Sequence, residues 1–415
     1  MPSQISRLKN LIYLSKFIMG KGKELRIQDL GELQHLHGDL HISGLENVIN
    51  GRDAASANLK DKKLIENLVM EWSDSDVEDS LSVRDTLDKL QPHRGLKSLK
   101  LCHVGGTRFP DWLGDNSFVN LETLHLESCN CFSLPALGQL ASLKLLTTSK
   151  MDEIRNVGQE FYGDNSTIRP FQSLIFLKFE QMMAWERWQI LSNGVFSSLE
   201  ELHISKCPQL TGDFPSELLS LKQLVMTDCP KLILPHDGMT TLHIQGGFLQ
   251  HLPSLRKMHM YGMPNLQEFP LSRLPLSLKE LLIGTCDVLK FELVPDDTTG
   301  SCNTSLKTLT IENCDLLRDI PLGMFPGLQV LSIIGCKNLQ TISVHCVAQT
   351  LNLQRLTIRN CDKLKLLPTQ MNNVLQSLAF LNLNICQEIE RFPEGGLPSS
   401  LQILYIIGCK KLMTN

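Results

Sequence analysis

One pattern recurs along the chain and fixes what it can fold into: L-x-x-L-x-L-x-x-C-x-x-L. Clear copies begin at Leu121 (LETLHLESC), Leu199 (LEELHISKC), Leu221 (LKQLVMTDC), Leu278 (LKELLIGTC), Leu306 (LKTLTIENC), Leu328 (LQVLSIIGC), Leu353 (LQRLTIRNC), Leu378 (LAFLNLNIC) and Leu401 (LQILYIIGC). Copies without the cysteine begin at Leu96, Leu174 and Leu255. From Leu278 onward the starts lie 28, 22, 25, 25 and 23 residues apart. Leucine accounts for 75 of the 415 residues, so one residue type fills the same slot many times.

That period is the period of leucine-rich repeats. The L-x-L core, as in Leu356-Thr357-Ile358, alternates inward and outward and makes a short strand. No single repeat can bury its own leucines, so neighbours must stack. The predicted fold is an α/β-type solenoid, a leucine-rich-repeat horseshoe with a concave parallel β-sheet and a mostly irregular convex side. Leu-Pro and Phe-Pro pairs (Leu134-Pro135, Phe269-Pro270, Leu367-Pro368, Phe392-Pro393) suit that return, where few ladder hydrogen bonds are needed.

Nine of the thirteen cysteines (Cys129, Cys207, Cys229, Cys286, Cys314, Cys336, Cys361, Cys386 and Cys409) stand eight residues after the first leucine of a repeat. The expectation is a buried free thiol where the strand turns, small and a weak donor to turning backbone. Disulfides between successive repeats are the rival, which an odd count and the lack of a signal peptide disfavour. Cys102, Cys131, Cys302 and Cys346 carry no pattern.

Composition narrows the function classes. A hydrophobic share of 42% with 20% charged residues excludes wholesale disorder. With 40 basic against 44 acidic residues, scattered rather than clustered, no nucleic-acid partner is expected. No apolar run is long enough for a membrane span. Leu11–Gly20 is interrupted by Lys16 and makes a poor signal peptide. A reducing, cytoplasmic location follows as an expectation.

Residues 1–95 read as irregular N-terminal repeats, with strands at Leu40-His41-Ile42 and Leu64 to Met70 and a short helical segment over Asp53 to Leu64. They carry an acidic loop near 73–79. Residues 96–415 read as the regular solenoid, with an insertion near 147–173 containing Glu160-Phe161-Tyr162-Gly163. One continuous domain is expected, truncated at both ends, because neither end shows a polar cap.

Catalytic and cofactor motifs are missing: there is no G-x-x-x-x-G-K-[ST], no G-x-G-x-x-G, no H-E-x-x-H and no G-x-S-x-G. Gly20-Lys21-Gly22-Lys23 is only a glycine–lysine turn, and Cys129-Asn130-Cys131 lacks the second ligand pair of a zinc site. No catalytic residue, cofactor or metal is therefore assigned. Sequons at Asn165 and Asn303 matter only in a secreted protein. His41, His125, His203, His243 and His259 fall at outward strand positions and read as surface residues without carboxylate support, with His243 and His259 on adjacent strands. Near the C-terminal end the outward positions turn apolar, at Val330, Ile334, Phe380, Ile403, Tyr405 and Ile407, with Arg355 and Arg359 on an intervening strand. An exposed apolar patch edged by charge marks a candidate protein-binding surface on the concave face, the alternative being that a neighbouring segment missing here covers this end.

Several segments resemble the leucine-rich-repeat region of plant coiled-coil nucleotide-binding disease resistance proteins, over nearly the whole chain. They are Leu14-Ser15-Lys16-Phe17 with Gly20-Lys21, Leu36-His37-Gly38-Asp39-Leu40 leading to Leu45-Glu46-Asn47-Val48, Ala57-Asn58-Leu59-Lys60, Glu71-Trp72-Ser73 and Leu90-Gln91-Pro92-His93. The most specific are Phe109-Pro110-Asp111-Trp112-Leu113-Gly114, Leu134-Pro135-Ala136-Leu137-Gly138-Gln139-Leu140, Glu160-Phe161-Tyr162-Gly163 and Trp185-Glu186-Arg187-Trp188.

The resemblance implies a non-catalytic recognition region of an intracellular immune receptor. It would sense a pathogen effector or a guarded host protein and restrain a nucleotide-binding switch, a domain missing here and supplied in cis or in trans. The alternative is a stand-alone repeat adaptor or decoy, such as a ubiquitin-ligase substrate adaptor, without signalling of its own. An enzyme is the least favoured class, since no convergent acid, base or nucleophile can be named.

Overall fold

The computed structural model describes residues 5–21, 25–73, 80–163, 169–190, 194–211, 215, 218–232, 252–264, 268–269, 274–286, 290–291, 303–344 and 351–414. His243, Cys302, Cys346, Asn165, and the acidic loop beyond Ser73 lie outside the described residues. The chain divides into two compact units, Met1–Leu218 and Leu219–Asn415.

In the first unit eight strands lie side by side in chain order: Lys16–Ile18, Gly38–Ser43, Ile65–Glu71, Ser98–Cys102, Thr123–Glu127, Leu145–Ser149, Phe176–Glu180 and Glu201–Ser205. Each pairing is parallel. The second unit repeats the arrangement with Gln223–Thr227, Lys257–Tyr261, Glu280–Gly284, Thr308–Glu312, Val330–Ile334, Arg355–Arg359, Phe380–Asn384 and Ile403–Ile407. This is the predicted leucine-rich-repeat solenoid, one strand per repeat.

The leucine pattern explains the register. The second anchor of each repeat stacks on its counterpart, as in Leu281, Leu309, Leu331, Leu356 and Leu381, all at 0% exposure. Ile283, Ile311, Ile333, Ile358 and Leu383 form a parallel inner row. Burial of each such side chain contributes about 1.5–3 kcal/mol. A one-residue slip would carry every anchor to the solvent face, so the register is strongly specified.

Each strand of a cysteine-bearing repeat ends in a shared turn. The residue after the strand adopts a left-handed conformation: Ser128, Lys206, Asp228, Thr285, Asn313, Asn360 and Ile385 have φ of 49–54°, while Gly335 and Gly408 have φ of 70° and 67°. Its N–H extends the ladder by one bond, as from Asn313 to the Ile334 carbonyl (2.8 Å) and from Asn360 to the Asn384 carbonyl (2.9 Å). The patterned cysteine comes next. Its thiol donates to the carbonyl two residues back, at 3.3 Å for Cys207, 3.4 Å for Cys314 and Cys361 and 3.6 Å for Cys386. All nine are free and buried, and so are Cys102 and Cys131. The structural expectation for the thiols holds, and none of these eleven forms a disulfide.

The ladder also contains a strand that the leucine pattern misses. Leu145–Ser149 falls at the start of the expected insertion, with Thr148 at 0% exposure in an inner slot that the neighbouring strands fill with Leu126 and Phe179. Its hydroxyl meets the Met182 sulfur at 3.5 Å, so the polar group is satisfied inside the core. Over Asp53 to Leu64 the expected helical segment resolves into the end of a short helix, Gly51–Ala55, and a 3₁₀ turn, Leu59–Asp61.

The motifs that carried the family resemblance meet in the interior of the first unit. Phe161, Tyr162, Phe171, Phe179, Trp185 and Phe196 are each at 0% exposure and Trp188 at 4%. Asn156–Val157 pairs in parallel with Arg187–Trp188 on the return side, and the Trp188 indole N–H donates to the Tyr162 hydroxyl at 2.9 Å. Asn303 is also interior, at 5% exposure: its side-chain oxygen accepts from the Ser305 and Leu306 N–H groups at 3.0 Å, and its Nδ2, the atom a glycan would occupy, donates to the Pro275 carbonyl at 3.5 Å. Among the described residues no helix is long and apolar enough to cross a membrane.

Candidate recognition surface

Each five-residue ladder strand turns three positions away from the core, and the register aligns them into rows. In the first unit the middle row runs Lys16, His41, Val69, Lys100, His125, Thr147, Lys178, His203. Carboxylates neutralise it from the edge. Glu71 accepts from Lys16 (3.5 Å) and meets the His41 Nε2 at 2.8 Å. Lys100 pairs with Glu127 at 2.8 Å and Lys178 with Glu180 at 2.6 Å.

The titration shifts follow from those contacts. Partial burial works to raise the Glu71 carboxyl, but the hydrogen bond from His41 and the charge of Lys16 hold it below the ordinary glutamate value. The Lys100 hydrogen bond lowers Glu127, and the same bond raises Lys100. His125 is pushed down by burial and by the neighbouring Lys100 charge.

These contacts correct one expectation. Three of the outward histidines do have carboxylate support: His41 from Glu71, His259 from Glu280 at 3.1 Å, and His203 from Glu201 at 3.6 Å. The carboxylates at His41 and His259 come from the next strand of the ladder, so local sequence gives no sign of them. The cross-strand neighbours of His259 are Val225 and Leu282, and His243 lies outside the described residues.

In the second unit the ion-paired pattern thins. Lys257 and His259 share Glu280, and the next strand presents Thr308, Thr310 and Glu312, followed by Ser332 on the strand after it. Beyond them lie all eight predicted surface residues, brought together across four consecutive strands. Val330, Arg355, Phe380 and Ile403 form one row, and Ile334, Arg359, Asn384 and Ile407 another. Between them runs Ser332, Thr357, Asn382, Tyr405, of which only Tyr405 was singled out from the sequence.

Arg355 and Arg359 are exposed, as are Ile403 (44%), Tyr405 (50%) and Ile407 (53%), while Val330, Ile334 and Phe380 are half-buried. The Arg355 guanidinium lies over the Phe380 ring, 4.1 Å from its centroid, and Phe380 contacts Tyr405 with centroids 5.8 Å apart. Among the described residues neither arginine has an ion-pair partner. Nor do the described residues hold any group of three or more histidine, cysteine, aspartate or glutamate side chains placed to bind a metal.

Comparison with known proteins agrees with the repeat and with the diagnostic motifs. The sequence pattern of the R13L1/DRL21 LRRs matches residues 27–151. The disease resistance candidate RPP13-like protein 1 of Arabidopsis thaliana is 33% identical over 73% of this chain and 32% of its own length. Disease resistance protein RGA2 of Solanum bulbocastanum is 29% identical over 62% of this chain and 26% of its own length. A further disease resistance candidate of Arabidopsis thaliana reaches 38% identity over 54% of this chain and 16% of its own length. The chain thus spans between 16% and 32% of these three relatives. Among solved structures, a TLR13–ssRNA13 complex aligns with a TM-score of 0.53 and 16% identity over 97% of this chain and 62% of the other, a likeness of fold alone.

Proposed function

The chain is a leucine-rich-repeat region of the kind carried by plant disease resistance proteins, and from that premise we propose that it is a non-catalytic protein-recognition region of an intracellular immune receptor. Its partner is a pathogen effector or a guarded host protein, bound on the outward face of the ladder. In the resting state the repeats restrain a nucleotide-binding switch belonging to the remainder of the receptor.

The observation that carries this reading is the surface spanning Val330 to Ile407. Elsewhere on the outward face Lys16, Lys100, Lys178 and Lys257 each meet a carboxylate of the chain itself. Here two arginines stand without one, amid exposed apolar side chains. Such a combination is costly to leave in water and favourable to cover with another protein. Aromatic and arginine side chains are also those that dominate binding energy at protein interfaces.

Signalling then follows from linkage. A partner shifts the balance between restrained and released receptor only by its differential affinity for the two states. A ladder of stacked repeats suits that role, because its outward side chains vary without disturbing the buried anchors.

The test places the chain behind the coiled-coil and nucleotide-binding region of a plant immune receptor and expresses the chimera in leaf tissue. Resting cell death and the response to pathogen proteins are read for the unaltered chain and for Arg355→Glu/Arg359→Glu. The double charge reversal should abolish recognition or release the resting restraint. If both readouts stay unchanged, this surface has no part in either. A chain that neither restrains nor responds would favour the adaptor or decoy reading.

A further inference from the structure

We infer that the Arg355–Arg359 strand docks an acidic, apolar-flanked polypeptide segment, whose Asp or Glu side chains pair with the two guanidinium groups. This deepens the recognition reading and rests on it.

Three observations converge. First, the outward lysines of Lys100–Glu127, Lys178–Glu180 and Lys257–Glu280 are closed by the chain's own carboxylates, whereas among the described residues Arg355 and Arg359 have no ion-pair partner. Second, Arg355 is held in place. The guanidinium carbon lies over the Phe380 ring, 4.1 Å from its centroid, and among the described residues no ion pair takes up its N–H groups, which suit a two-pronged bond to a carboxylate. Third, the two arginines share one face of one strand with only the small Thr357 at the outward position between them. Four residues of extended chain place them about 13 Å apart. An extended partner segment carrying acids four positions apart matches that spacing.

Apolar groups border the arginine strand on both sides, Val330 and Ile334 on one and Phe380, Ile403 and Ile407 on the other. A polypeptide can offer apolar side chains next to its acids. A nucleic-acid backbone offers phosphates without them, so the apolar flanks would stay uncovered. The surface therefore fits an acidic protein segment better than RNA.

The experiment measures binding of the full chain to fluorescent peptides by polarisation. One peptide carries two glutamates four positions apart between leucine and phenylalanine residues; a second replaces the glutamates by glutamine, a third by lysine; a single-stranded RNA is the fourth probe. The glutamate peptide should bind about ten-fold more tightly than the glutamine peptide, as expected of two partly exposed ion pairs. In Arg355→Glu/Arg359→Glu the order should invert in favour of the lysine peptide. Arg355→Lys/Arg359→Lys should keep the order with a smaller preference, and matching thermal unfolding would show that the variants fold alike. Equal binding of the glutamate and glutamine peptides, or an unchanged order in the charge-reversed chain, overturns the inference. So does RNA binding that depends on the two arginines. Loss of the glutamate preference with the receptor response still sensitive to Arg355→Glu would remove the acidic partner but leave the recognition surface. A preference retained while the receptor ignores the reversal would do the opposite.

Discussion

Arg355 and Phe380 face each other across the ladder in register, with the guanidinium carbon 4.1 Å from the ring centroid. The contact is partly exposed, so its coupling should be modest. A double-mutant cycle on Arg355→Ala and Phe380→Ala, read by urea unfolding, should return about 0.5–1 kcal/mol. A coupling near zero would mean that the stack does not hold Arg355 in place.

Ile385 is a β-branched residue at φ 53°, where the equivalent turns use Asn313, Asn360, Gly335 or Gly408. Its side chain is 45% exposed, so little packing offsets the strain. Ile385→Asn keeps the N–H that donates to the Ile407 carbonyl and tolerates the left-handed conformation. It should raise unfolding stability by about 1 kcal/mol, and Ile385→Val should give no gain.

Much of this fold is readable in advance because its chemistry is local and repeated. Leucine spacing alone locates strands such as Thr308–Glu312 and Arg355–Arg359, and cysteine spacing locates the turn. What stays hidden depends on neighbours in space. Strand Leu145–Ser149 hides because buried Thr148 replaces an apolar anchor. The left-handed turn residue hides because Ser128, Lys206, Thr285 and Ile385 share no chemistry, only a backbone conformation. His41 looks unsupported until the ladder brings Glu71 to it. The eight surface residues were visible as a group, since alternation along each strand fixes which face they take. Their alignment into rows needed the register.

Three of the patterned thiols, Cys129, Cys361 and Cys386, should be inert in the native chain. Burial pushes Cys129 and Cys361 up to about 12 and Cys386 up to about 11 from an ordinary value of 9.0. A thiol reagent should therefore label Cys129, Cys361 and Cys386 only on unfolding. Because the folded values lie above the unfolded one, the associated stability is full below about pH 9 and is lost as pH rises toward 12. Cys361→Ala should show a shallower alkaline loss than the wild type in urea unfolding.

Lys62 gives a slope of the opposite sign. It is 3% exposed, donates to the Leu33 carbonyl at 2.7 Å, and is pushed down to about 8 by burial. Between that value and the ordinary 10.5 the unfolded chain holds the extra proton, so this residue makes stability rise with pH over the interval. Relative to Lys62→Met, the wild type should gain roughly 2–3 kcal/mol from pH 8 to 10.5. A constant difference between the two would mean that Lys62 titrates as it does in water.

The most direct measurement of the central claim is saturation mutagenesis of the chain within the receptor chimera, scoring recognition and protein abundance together. Substitutions that lose recognition at normal abundance should cluster at the outward positions of strands Val330–Ile334, Arg355–Arg359, Phe380–Asn384 and Ile403–Ile407. Those at the buried leucines and patterned cysteines should instead lose abundance. A recognition cluster on the return side, or on the ion-paired outward rows around Lys100 and Glu127, would contradict the account.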